Sequence, residues 1–93
     1  MQEYIASRFS EGNKLYPARI IIDERGITLK LPGLFNGKET TILFNSITSV
    51  NIDVPLIGYS TIDIETKGEG KIVAHGFTKD EVKEMKELIL SKM

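Results

Sequence analysis

Alternation of apolar and polar residues dominates the chain, and it predicts strands. "ITLKL" places Ile27, Leu29 and Leu31 on one face, with Thr28 and Lys30 on the other. A period of two marks a half-buried antiparallel strand, because successive side chains point to opposite faces of a sheet. "STIDIET" repeats the pattern, with Ile62 and Ile64 inward and Thr61, Asp63 and Glu65 outward. "ARIIID", a β-branched run, adds a strand, as do "KETTILF" and "KIVAHG", and the opening "EYIASRF" fits one more strand or a short helical turn, the strand being favoured. Turn formers punctuate these runs at short intervals in "DERG", "PGLFNG" and the glycine-rich "KGEG".

One stretch loses the rhythm and recovers it. In "TILFNSITSVNIDV", Ile42 and Phe44 are two apart, Ile47 and Val50 follow at steps of three, and Ile52 and Val54 restore the step of two. A step of three suits a tight turn or half-turn of helix, and "NSIT" carries the turn formers. Ile47 is therefore expected to plug the core at a corner between two strands, with the next strand starting at about Thr48. Such a corner bends the sheet round its core, as a barrel requires. "VPLIGYS" is a second apolar connection, where Leu56, Ile57 and Tyr59 are expected to be buried beneath a helix. Gly58 within it is expected to take a positive φ.

The period changes at the end of the chain. Thr78 and Glu81 stand in T-x-x-E spacing, the capping box in which two side chains satisfy each other's backbone N–H groups. Phe77 and Val82 flank it as a hydrophobic staple. Val82, Met85, Leu88, Ile89 and Met93 then follow helical spacing, while Lys79, Lys83 and Lys86 interleave with Glu81, Glu84 and Glu87 on a solvated face. One amphipathic helix closes the sheet.

Ninety-three residues suit one domain, 1–93, with a single core. The hydrophobic fraction of 41% and charged fraction of 27% belong to a globular chain rather than a disordered one. A net charge of −1, with no basic stripe and no aromatic platform, argues against a nucleic-acid partner. The absence of cysteine excludes disulfides, thiolate metal sites and cysteine nucleophiles, and is compatible with the cytoplasm. No signal-peptide run opens the chain, and no run of about 18 apolar residues spans a membrane. His75 is the single histidine, and no serine–acid spacing singles it out. It reads as an ordinary strand residue, so no catalytic residue, cofactor or metal is expected.

The order of short antiparallel strands followed by one helix is that of the pleckstrin-homology superfold. From Arg19 to Lys92 the chain resembles the bacterial pleckstrin-homology family and its GRAM-like relatives. "DERGITLK" carries the resemblance as a strand-to-strand turn, "ILFNSITSV" as the kinked corner, "IGYSTIDIET" as a glycine-led strand and "FTKDEV" as the helix start. The resemblance implies an α+β, mainly β fold: a PH-like, partly open barrel of six to seven antiparallel strands capped by one C-terminal helix. It implies a non-catalytic binding or scaffolding module in the cytoplasm, serving protein–protein interaction or self-assembly. The alternative is a peripheral module that binds anionic membrane lipid through the 32–38 loop.

In that architecture the loops "EGNKL", "PGLFNG" and "KGEG" meet at the open end of the barrel. The resemblance thus gathers Lys14, Lys38, Lys67 and Lys71 around Leu34 and Phe35 as the candidate binding surface. Two departures matter. The chain has no tryptophan in its final helix, which places it with the bacterial branch. Where lipid-binding members carry a basic motif, "SEGNKLYPARII" offers only Lys14 and Arg19, and the third basic position falls at Ile21. The strands "STIDIET" and "KIVAHG" lack proline, and self-association is expected through their edges.

Overall fold

The alternating runs become seven strands paired in two antiparallel sheets. A computed structural model describes every residue of the chain except Glu11, Gly12, Lys14, Leu34, Phe35 and Glu69. The first sheet has the order β1 (Gln2–Ile5), β2 (Arg19–Ile22), β3 (Gly26–Leu31) and β4 (Lys38–Leu43). The second has β5 (Ile47–Asp53), β6 (Ser60–Thr66) and β7 (Lys71–Phe77), and the helix α1 (Lys79–Lys92) follows. The fold is mainly β, with one C-terminal helix, and the opening residues are a strand as expected.

Register lines the inward positions up into one core. Ile20 faces Leu29, Ile27 faces Ile42, and Ile64 sits between Val50 and Ile72. All of these are buried, together with Val82, Met85 and Ile89 from the helix. Each aliphatic side chain so removed from water contributes about 1.5–3 kcal/mol before the cost of ordering it. The capping box forms as its spacing predicts: Glu81 N–H donates to Thr78 Oγ1 at 3.1 Å, and Thr78 N–H donates to Glu81 Oε1 at 2.9 Å. Phe77 and Val82, the staple pair, are wholly buried.

The broken rhythm has two causes rather than one. Phe44–Ser46 form a 3-10 turn, anchored where Phe44 N–H donates to the Arg25 carbonyl at 3.2 Å. That turn accounts for the step from Phe44 to Ile47. Strand β5 then begins at Ile47, one residue earlier than the spacing suggests, and it carries a bulge. Ile47 pairs with Thr66 and Ser49 with Glu65, leaving Thr48 as the extra residue. A bulge sets two residues against one and bends the strand. It turns both Ile47 and Val50 inward, three residues apart, and both are buried.

Other expectations need correction. Leu31 is exposed because it lies at the end of the sheet, opposite Lys38. Met93 is half-exposed beyond the last buried turn of the helix. Leu56 and Ile57 are not beneath the helix but project from the connection before β6. Strand β6 is not an edge: β5 and β7 pair with it on either side, so its ladder groups are already used. Of the two strands expected to offer an edge, only β7 is outermost in its sheet.

Candidate functional site

The connection between β1 and β2 is pinned onto the end of β7 by a small buried polar network. Asn13 is buried, and its amide donates to Ser10 Oγ at 2.9 Å and to the His75 carbonyl at 2.8 Å. Its Oδ1 accepts from Ala18 N–H at 2.8 Å. Ser10 Oγ donates to the Ser7 carbonyl at 2.6 Å, and Ser7 N–H donates to the Gly76 carbonyl at 2.8 Å. Most buried polar groups in folded proteins are paired in this way.

Gly76 makes the approach feasible. Ser60 pairs with Phe77 but Thr61 with His75, so Gly76 is the bulged residue, at φ +115°. A Cβ there would collide with Ser10 Oγ and stand 2.7 Å from Asn13 Nδ2. Only glycine combines that dihedral with a backbone this closely covered.

The pinned connection meets the loop between β5 and β6. Ser7 Oγ donates to the Tyr59 hydroxyl at 3.0 Å and accepts from Phe9 N–H at 3.2 Å. Phe9 and Ile57 each stand two residues from that bond. These residues are 92% and 88% exposed, and Leu56 is fully exposed. Leu15 and Tyr16 on the same connection are also exposed. Single exposed apolar residues need no explanation; here Phe9, Leu56 and Ile57 stand on two connections that the Ser7–Tyr59 bond joins. Exposed Arg8 and Asp53 flank the group. Sequence reasoning missed this surface, although the pair Leu56–Ile57, set between Pro55 and Gly58 at φ +106°, was a legible loop tip.

Of the residues expected to form a binding surface, Lys14, Leu34 and Phe35 lie outside the described residues. Lys38, Lys67 and Lys71 are exposed, and among the described residues none of them forms an ion pair. Lys38 opens β4 opposite Leu31, beside a shallow groove of about 270 Å³ that Lys30, Pro32 and Glu39 help to line. Lys67 N–H donates to the Ser46 carbonyl at 2.9 Å, which ties the β6–β7 turn to the corner. Lys71 opens β7 opposite Glu65.

The titratable groups act as fastenings. His75 Nδ1 lies 2.8 Å from Thr61 Oγ1, a cross-strand pair on the outer face of the second sheet. Tyr4 donates its hydroxyl to Glu84 Oε1 at 2.8 Å, joining β1 to α1. Burial pushes the Tyr4 phenol up to about 12, and the hydrogen bond and charge of Glu84, with the charge of Glu81, push the same way. The Asp23 carboxylate accepts N–H bonds from Arg25 at 2.8 Å and Gly26 at 3.0 Å, which hold it below the ordinary carboxylate range and shape the β2–β3 turn. Among the described residues no His, Asp or Glu cluster has the arrangement of a metal site. No described helix is long and apolar enough to cross a membrane.

Comparison with protein-family models, curated proteins and solved structures gave no match.

Proposed function

We propose that the chain is a non-catalytic binding module of pleckstrin-homology-like architecture that presents its paired loops to a protein partner. Four strands, then three, then one helix is the order that this architecture uses, and the corner at Phe44–Ser46 supplies the bend it needs. The observation that carries the reading is the exposure of Phe9, Leu56 and Ile57 on two loops held together at Ser7 and Tyr59. Contact residues of this kind work by leaving water, and aromatic and large aliphatic side chains contribute most. A cytoplasmic setting accords with a chain free of cysteine. The second reading, contact with anionic lipid, draws on the same protruding side chains and on exposed Lys38 at the start of β4, where the 32–38 loop ends.

Affinity capture from the source cell tests the proposal, using the wild type beside Phe9→Ser/Leu56→Ser/Ile57→Ser. A protein held by the wild type and released by the triple variant, at unchanged melting temperature, supports it. Capture that is equal for both, or absent from both, overturns it. Flotation of the wild type with anionic vesicles at low salt, lost in the triple variant, gives the surface to lipid instead.

A further inference from the structure

The two sheets have four outermost strands, β1, β4, β5 and β7, and the edge of a sheet leaves N–H and C=O groups without a ladder partner. Three of the four are met by another element. The helix packs on β5. Tyr4 on β1 reaches Glu84 of the helix. The connection after β1 bonds to Gly76 and His75 at the end of β7, through Ser7 N–H and the Asn13 amide. Strand β4 differs. Among the described residues its one extensive contact is with β3, and no backbone hydrogen bond reaches its other side. The register shows which of its groups are free. Phe44 N–H donates to the Arg25 carbonyl, in step with the pairing of Leu43 with Gly26. Alternate residues of an antiparallel strand bond to the same neighbour. Ile42, Thr40 and Lys38 therefore turn their N–H and C=O groups towards β3, and Leu43, Thr41 and Glu39 turn theirs away. All three are exposed, and neither proline nor a bulge interrupts the row.

We infer that β4 accepts an extended segment of a different protein as an added antiparallel strand. Main-chain pairing gives such a contact its affinity, and the side chains beside it give selectivity. Directly opposed residues share a face, so alternate side chains of the segment lie beside Leu43, Thr41 and Glu39. Leu43 is half-exposed and, with buried Phe44 and half-exposed Met93, lines a groove of about 490 Å³. Asp23 and Glu24 stand near it with one sign, Arg25 and Lys92 with the other, so the groove selects an aliphatic side chain by burial and not by charge. Thr41 bonds across the strand to Thr28 at 2.8 Å and suits a β-branched neighbour. Glu39, 3.6 Å from Lys30, is exposed, and a carboxylate accepts from more than one cation. Read from its own N-terminus, the segment therefore carries an aliphatic, a β-branched and a basic residue at alternate positions. A second copy of β4 matches this row poorly. Two-fold pairing centred on Thr40 sets Lys38 against Ile42, and pairing centred on Thr41 sets Glu39 against Leu43. Each register places a charge opposite an aliphatic side chain. The edge is separate from the paired loops and does not depend on their role.

Amide hydrogen exchange and chemical-shift mapping test the inference with a blocked peptide that carries leucine, valine and lysine at alternate positions and serine elsewhere. In the free protein the Glu39, Thr41 and Leu43 amides should exchange quickly, while those of Thr40 and Ile42 are protected. The peptide, at high micromolar to millimolar concentration, should slow those three amides and shift their signals. A peptide N-methylated at the valine should bind about tenfold more weakly, because a backbone donor is lost while the protein is untouched. Exchanging leucine and lysine in the peptide should also weaken binding, and Glu39→Lys should turn the preference from the lysine peptide to a glutamate one. Slow exchange at the three amides in the free protein overturns the inference, as does a millimolar peptide that leaves them unprotected or an N-methylated peptide that binds equally. Protection that grows with protein concentration alone gives the edge to a second copy and overturns it too. The Phe9→Ser/Leu56→Ser/Ile57→Ser variant should bind the peptide as the wild type does. Loss of binding there moves the peptide to the paired loops and removes the β4 site, leaving the binding-module reading in place.

Discussion

Two apolar connections bracket strand β5, and they end in opposite environments. Before the strand, Phe44 and Ile47 come from a short turn and are buried. After it, Leu56 and Ile57 come from a short loop and project into water. Both stretches mix large aliphatic residues with turn formers, so composition does not separate them. Geometry does. The 3-10 turn and the bulge at Thr48 rotate Phe44, Ile47 and Val50 back towards one core. Beneath the helix, where it crosses β5 and β6, the buried side chains are its own Val82, Met85 and Ile89, and the second pair stands outside that contact. An apolar loop residue is buried only when the backbone aims it and the core has room for it.

The largest effect that tests this contrast comes from truncating one isoleucine on each side of β5. Ile47→Ala should destabilise the protein by about 2–5 kcal/mol, the transfer and cavity cost of a core truncation. Ile57→Ala should stay within about 0.5 kcal/mol, as exposed substitutions do. Denaturant unfolding of both variants measures the difference. Equal losses would mean that Ile57 is covered in solution, and the contrast would fail.

A second pair of variants asks what the loop end costs to assemble. Gly58 and Gly76 both have positive φ, but a Cβ at Gly58 meets nothing within 4 Å whereas one at Gly76 runs into Ser10 and Asn13. Gly58→Ala therefore reports the dihedral alone, about 1 kcal/mol within the usual range for such strain. Gly76→Ala adds displacement of the buried network and should cost about 1–3 kcal/mol more, the penalty of leaving buried polar groups unpaired. Hydrogen exchange at Ser7 and Ala18 should accelerate in Gly76→Ala and stay unchanged in Gly58→Ala. If the two variants lose the same stability, the β1–β2 connection is not pinned at Gly76.

The outcome at each position follows the range of the interaction that decides it. Strands and helix were legible because their signals are local: the alternation in "STIDIET" and the capping box at Thr78 and Glu81 lie within a few residues. The corner was legible in outline, since only core-facing residues space themselves as Phe44, Ile47 and Val50 do. Its division into a turn and a bulge depends on pairing with Thr66 and Glu65, which no local pattern announces. The loop end was not legible, because it depends on the meeting of Ser7 with Tyr59 and of Asn13 with His75 across 52 and 62 positions of chain. The lysines expected around Leu34 and Phe35 rested on a resemblance. Among them, the structure fixes Lys67 near the corner through Ser46.

The smallest effect concerns the strand that leads into the loop end. Tyr4 is buried on β1 and hydrogen-bonded to Glu84, whereas Tyr16 on the following connection is exposed. Folding holds the Tyr4 phenol protonated from its ordinary value of 10.0 up to about 12, through burial first and Glu84 second. A folded-state value above the unfolded one contributes stability that is complete below about pH 10 and is lost as pH rises towards 12. Across that window the wild type should therefore lose more stability than Tyr4→Phe, which has no phenol to ionise. Glu84→Gln should keep part of the dependence, because burial remains when the carboxylate is gone. Urea unfolding at stepped pH measures all three, and the increment of tyrosinate absorbance near pH 12 should vanish in Tyr4→Phe. Parallel stability curves for wild type and Tyr4→Phe above pH 10 would show that β1 is not fastened to the helix there, and the anchored side of the contrast would lose its titratable marker.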